Sequence, residues 1–303
     1  MNLASLANIL VNIITPIVLV ALVGFILAKK IGLEARPLSR TMLYFFTPAL
    51  VFSSTYRANL NSEYISIGVF ALVITLFMLV VAWGIAQAMR YDRLTQSGFM
   101  LGVLFVNAGN YGLPLILFAF GQEGLARAAF YFTMSAIFTQ TLGIFVAARG
   151  RASAREALLN VFKMPIVYAA VLALIFNLAH IGVPEFLMKS IDLAKDAAVP
   201  VMLVILGIEL ARVTVENDRS VVALATITKL MLVPVFAFPL AALMGMTGVT
   251  RAVCIVESSM PTAVMASIVA VEFDARPKLV TSIIFATTLA SIVTLTVLLA
   301  ILK

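Results

Sequence analysis

Long apolar runs alternate along the chain with short polar interruptions. Cutting at the charged and Gly/Pro-rich interruptions gives apolar segments near 7–28, 37–56, 64–89, 97–120 and 127–148. A second set follows near 160–180, 185–211, 220–245, 249–271 and 277–302. Each is about 20 residues or longer, enough at 1.5 Å per residue to cross a hydrocarbon core about 30 Å thick. The pattern predicts an all-α membrane protein with ten transmembrane helices.

The basic residues then set an orientation. Lys29, Lys30, Arg36 and Arg40, Arg90 and Arg93, Arg149, Arg151 and Arg155, Arg212 and Arg219, and Arg276 and Lys278 fall in the odd-numbered connections. The even connections and the termini hold little beyond Arg57, Arg127, Lys189, Arg251 and Lys303. By the positive-inside rule the odd connections are cytoplasmic and both termini face outward. Five helices per half then force the halves into opposite orientations. The expected organisation is a first inverted repeat over 1–148, a short cytoplasmic linker over 149–159 and a second repeat over 160–303. The opening MNLASLANILVNIITPIVLV reads as a retained first helix, because no Lys or Arg precedes the apolar run and no small-residue cleavage site follows it.

Composition agrees with this reading. Of 303 residues, 63% are hydrophobic and 12% charged, and mean hydropathy is +1.11, well above a soluble domain. The net charge of +7 comes in short clusters between apolar runs, with no basic face interleaved with aromatics, so nucleic-acid binding is not expected. A single cysteine, Cys254, excludes an internal disulfide framework, and a single histidine, His180, excludes a histidine-rich metal site. No paired mid-membrane aspartates, HExxH or Ser/His arrangement appears, so no enzyme and no cofactor are expected.

The stretch FVNAGNYGLPLILF at 105–118 breaks this pattern, with two asparagines, two glycines and a proline inside an apolar run. Proline cannot donate to the helix ladder and crowds the carbonyl four residues earlier. For Pro114 that carbonyl belongs to Asn110, and for Pro261, in CIVESSMPTAV, to Glu257. Pro114 and Pro261 sit at matching depths of the fourth and ninth segments, as Pro48 and Pro200 do in the second and seventh. Broken helices at corresponding positions of two inverted halves mark a transporter's binding site. The half-helices after the breaks aim free N–H groups at an anion, and the preceding carbonyls favour a cation. Asn107, Asn110, Glu257 and Ser258 lie beside the breaks, and an ionisable residue at mid-membrane is functional by default. Glu257 is the main candidate for ion coupling, as a proton carrier or an ionised partner of sodium, with Asn110, Thr133 and Asp196 as further ion-coupling candidates.

Other polar positions are secondary candidates. Glu185, Lys189, Asp192, Asp196 and Pro200 form one helical stripe. Its outer part reads as a solvated rim with a Lys189–Asp192 ion pair, and Asp196 as part of the translocation path. Lys229 is expected to snorkel, or to meet a partner acid or the substrate carboxylate, and Glu209 to pair with Arg212. Thr133, Gln140, Thr288 and Ser291 are further ligand candidates, and Gly98 with Gly102 suggests close helix packing.

The GNYGLPL break, the SSMPTAV break, the FFTPALVFSS helix and the closing VEFDARPKLVTSIIFATTLASIVTLTVLL together resemble the auxin efflux carrier family in its short bacterial form. The resemblance covers essentially the whole chain. It implies ten helices in two inverted five-helix repeats, with broken helices four and nine crossing at Asn110–Pro114 and Glu257–Pro261, as in the similar fold of the bile-acid sodium symporters. It also implies transport of organic anions such as auxin, malonate or other dicarboxylates, a homodimer, and a place in the cell (inner) membrane. The long loop that plant members carry between the halves is missing. The expected function is secondary active transport of a small organic anion by alternating access, with H+ or Na+ as coupling ion. A sodium-coupled bile-acid or steroid symporter and a potential-driven uniporter are the alternatives on the same fold.

Overall fold

A computed structural model describes residues 3–147, 162–213 and 218–303. The expected linker at 149–159 lies outside the described residues. Those residues are almost wholly helical, and five helical stretches are long and apolar enough to cross a membrane: Ala4–Ile31, Ser62–Ala88, Ala108–Ala147, which is interrupted at Gly121, Arg219–Leu243 and Pro277–Leu302.

In chain order, α1 is Ala4–Ile31, α2 covers 35–56 and α3 is Ser62–Ala88. Helix α4, Arg93–Leu104, ends at an extended stretch. Beyond it, α5 covers 108–120 and α6 covers 122–147, separated by Gly121 at φ 66°. Helix α7 is Pro165–Leu178, α8 is Glu185–Ala211 and α9 is Arg219–Leu243. Helix α10, Gly248–Ser258, ends at a second stretch outside helix, after which come α11, Met265–Glu272, and α12, Pro277–Leu302.

Four of these helices contain one widened π turn, at Leu10–Ile14, Met42–Phe46, Ala108–Gly112 and Thr228–Leu232. Each is followed by a proline as second residue of the next helical stretch: Pro16, Pro48, Pro114 and Pro234. The cause is steric. A proline ring collides with the carbonyl one turn back, and inserting one residue lets that carbonyl swing away. Pro200 carries no such turn and lies inside continuous α8, so it does not behave as Pro48 does.

Helix α8 lies along α1 and α2, and α7 lies along α2. The α1–α8 contact is backbone to backbone: a Cβ built on Gly207 would stand 1.7 Å from Ala21 O, and one on Gly24 2.1 Å from Val204 O. The end of α2 is closed by Asn177 of α7, whose amide donates to the carbonyls of Tyr56 at 2.7 Å and Ala58 at 2.8 Å. The remaining helices pack on one another around the two breaks, with α3 against α4 and α12 against α4 and α11. Gly98 faces Ala275, just before α12, and Leu279 within it, and Gly102 faces Ile283, the close packing their spacing suggested.

Candidate functional site

Both breaks fall in the same place. The chain leaves helix over Phe105–Asn107 and again over Met260–Ala263, and the two stretches pair antiparallel at Val106 and Thr262. Asn107 N–H donates to Pro261 O at 2.8 Å, and Ala263 N–H to Phe105 O at 3.3 Å. Peptide groups that leave a helix inside hydrocarbon need a partner from protein. Here each break supplies it to the other.

The orphan carbonyls at the end of α4 are met from elsewhere in the chain. Thr262 Oγ1 donates to Gly102 O at 2.6 Å, and Lys229 Nζ to Val103 O at 2.9 Å. Thr287 of α12 accepts Thr262 N–H at 3.1 Å. The end of α10 closes on itself, with Ser258 and Ser259 hydroxyls donating to Ile255 O.

This corrects two expectations. The first break lies upstream of Pro114, which is buried within helix because the π turn at Ala108–Gly112 absorbs its ring. The carbonyl of Glu257 is not open either, since it accepts Met260 N–H at 3.4 Å. Among the carbonyls freed by the breaks, those of Gly102, Val103, Phe105 and Pro261 find partners from elsewhere in the chain.

Glu257, the penultimate residue of α10, is fully buried, and neither carboxyl oxygen has a hydrogen-bond partner among the described residues. It points at the first turns of α5, where a Cβ on Gly112 would lie 2.3 Å from its Oε2. The positive end of the α5 dipole is therefore the nearest favourable field for a charge on Glu257. Asn107 is buried at the N-cap of the π turn without a side-chain cap bond, and Asn110 is half-buried on that turn. Helix α8, which carries Pro200, packs on the same turn.

Other candidates have different partners from those expected. Lys189 pairs with Glu185 at 2.7 Å, one turn back, while Asp192 accepts from Ser53 of α2 at 2.7 Å and pairs with Arg57, just beyond the end of α2. Arg212 reaches Glu34 at 3.8 Å instead of Glu209, because it is turned toward the start of α2, where it also donates to Leu33 O. Lys229 meets neither solvent nor an acid, because the broken end of α4 presents it with a carbonyl. Asp196 is exposed on α8. Thr133 and Ser291 bond backbone carbonyls of their own helices, at Ala129 and Thr288.

Two clusters not foreseen in the sequence tie the starts of the broken helices in place. At the start of α10, Arg127 of α6 donates to Thr250 Oγ1 at 2.7 Å and pairs with Glu63 of α3 at 3.2 Å, and Thr250 also donates to Glu63. At the start of α4, Arg276 donates to Thr95 Oγ1 at 2.7 Å and pairs with Asp218 at 3.2 Å. Each joins an acid, an arginine and a threonine. Asp92 caps α4 by accepting from Leu94 and Thr95 N–H and from the Thr95 hydroxyl. That hydroxyl first, then the N–H groups, holds its carboxyl below the usual aspartate value.

The model of the family described as membrane transport protein matches residues 9–157 and 148–299. The chain belongs to this family. The resemblance to auxin efflux carriers is thereby borne out. Two archaeal proteins, each named an uncharacterized transporter, are similar along nearly their whole length. One from Methanothermobacter thermautotrophicus is 28% identical over 289 residues, 93% of this chain and 95% of its own. One from Methanocaldococcus jannaschii is 28% identical over 298 residues, with the same coverage of each. A multi-pass membrane transporter acting on a small molecule is the reading these findings support.

Proposed function

We propose that the protein is a secondary active transporter of a small organic anion, a dicarboxylate such as malonate or an auxin-like carboxylate, working by alternating access at the paired breaks. Ten membrane crossings in two inverted repeats, with both termini outside the cell membrane, are part of this reading. The two acid–arginine–threonine clusters support it. Glu63 and Asp218 lie at the start of α3 and just before α9, Arg127 and Arg276 near the starts of α6 and α12, and Thr250 and Thr95 near the starts of α10 and α4. Under the repeat these are corresponding positions, each cluster joining one repeat to the broken helix of the other.

The observation that carries the reading is Glu257, buried where the two broken helices meet, with no hydrogen-bond partner for its carboxyl among the described residues. A carboxyl so placed is costly unless it serves a charged or protonated state that changes during function. The N–H groups opening α5 favour the substrate carboxylate, and Glu257 takes the coupling proton or sodium ion.

The test is uptake of labelled malonate into proteoliposomes under an imposed pH gradient, a sodium gradient or neither, with wild type beside Glu257→Gln. Gradient-driven uptake that the variant loses, in folded protein, supports both assignments. Coupled uptake unaltered in Glu257→Gln removes that residue from the mechanism.

A further inference from the structure

A cavity of about 430 Å³ opens beside the start of α10, between α5, α9, α10 and α12. Phe120, Phe238 and the largely exposed Ile301 give it apolar walls, and its charged side chains are Arg251 and Lys303. Each cation rests on an aromatic ring, Arg251 5.8 Å from the centre of Phe238 and Lys303 Nζ 5.7 Å from that of Phe120. Neither has a carboxylate partner among the described residues, whereas Arg57, Arg127, Arg212 and Arg276 all do. Arg251 Nε is buried and makes no hydrogen bond there.

The start of α10 shows the same deficit. At α4 the opening N–H groups are met by the Asp92 carboxylate. At α10 the N-cap is Thr247, whose side chain makes no cap bond. The opening N–H groups of α4 are thus capped by a carboxylate, whereas at α10 the nearby Glu63 carboxylate is taken by Thr250 and Arg127 and no side chain caps the N–H groups, beside two cations without a carboxylate partner among the described residues. Two like charges sharing a partly apolar cavity repel each other unless an anion joins them.

We propose that this cavity is a binding site for the anionic headgroup of a phospholipid. Its phosphate is taken by Arg251, Lys303 and the N–H groups opening α10. Its apolar body follows Phe120, Phe238 and Ile301 toward the lipid side. Basic pockets between membrane helices take lipid headgroups in this way. The site is separate from the breaks and does not rest on the transport reading.

The experiment is thermal unfolding of the full chain in neutral detergent, titrated with phosphatidylglycerol, phosphatidylcholine or the water-soluble headgroup ester glycerol phosphate. Wild type and Arg36→Met, a distant exposed cation, are expected to gain a few degrees from phosphatidylglycerol and nothing from phosphatidylcholine. The doubly substituted Arg251→Met/Lys303→Met chain is expected to gain nothing. If that chain folds poorly, Lys303→Met alone, at the exposed end of α12, is expected to bind phosphatidylglycerol at least several-fold more weakly. An equal gain with both lipids, or a gain kept in these variants, overturns the site. A full gain from glycerol phosphate alone overturns the lipid assignment in favour of a free phosphate ester.

Discussion

Gly112 and Glu257, one from each broken helix, are packed so closely that a single methyl group on the glycine would stand 2.3 Å from the Glu257 carboxylate. Gly112→Ala therefore pushes the carboxyl group out of its place. The variant is expected to fold with a loss of about 1–3 kcal/mol, typical of overpacking, and to lose most coupled uptake. Pairing it with Glu257→Ala, which removes the obstructing group, is expected to restore stability toward that of Glu257→Ala alone. Melting curves of the three variants check this.

Lys229 supplies a donor to Val103 O where α4 runs out. In Lys229→Met the stem still fills its space, but the carbonyl is left without its partner. Stability is expected to fall by about 1–3 kcal/mol, the usual consequence of stranding a buried polar group. A melting temperature equal to wild type contradicts the role assigned to this bond.

The two arginine clusters allow a comparison within one molecule. Arg127→Gln and Arg276→Gln are each expected to lower stability by about 1–2 kcal/mol, since both ion pairs are only partly shielded from solvent. Because the clusters lie at separate helix starts, the double variant is expected to show the sum of the two losses. Chemical denaturation of the single and double variants in detergent measures it.

Asp92 gives a pH prediction. Its carboxyl is held below the ordinary value of 3.8 in the folded protein, so the folded state favours its ionised form. The contribution is complete at pH values above 3.8 and is lost as the pH falls through the folded value. Asp92→Ala, which also removes the N-cap at a typical cost of about 1 kcal/mol, is expected to show a shallower fall in stability below pH 4 than wild type. Parallel melts from pH 3 to pH 6 test this.

The apolar pattern made the helical, membrane-crossing character of the chain legible, and the asparagines, glutamate and prolines at 107–114 and 257–261 pointed to the region of the breaks. The sequence could not reveal where the peptide groups freed there find partners. Proline marks where a ladder bond is missing, but a π turn of one extra residue can take up the strain. The extended stretch consequently opened at Phe105, away from Pro114. Lys229 was misjudged for a related reason: its depth showed that it needed a partner, and only the fold showed that the partner is a carbonyl. The Glu63, Arg127 and Thr250 side chains come from separated segments, and nothing local marks their meeting. Thr262 did carry a signal, as a hydroxyl directly after the breaking proline, where a donor for a freed carbonyl is required.

The pairing of the two breaks also sets an order of events during synthesis. The hydroxyl that closes Gly102 O lies 160 residues further along the chain, and the ammonium that closes Val103 O lies 126 residues further. At about 5–20 residues per second, the end of α4 is made roughly eight to thirty seconds before Thr262. During that interval the end of α4 is a wound in the membrane, open to water, lipid headgroups or the insertion machinery. The site is thus a late product of biogenesis, and the N-terminal half made alone has no means of finishing it.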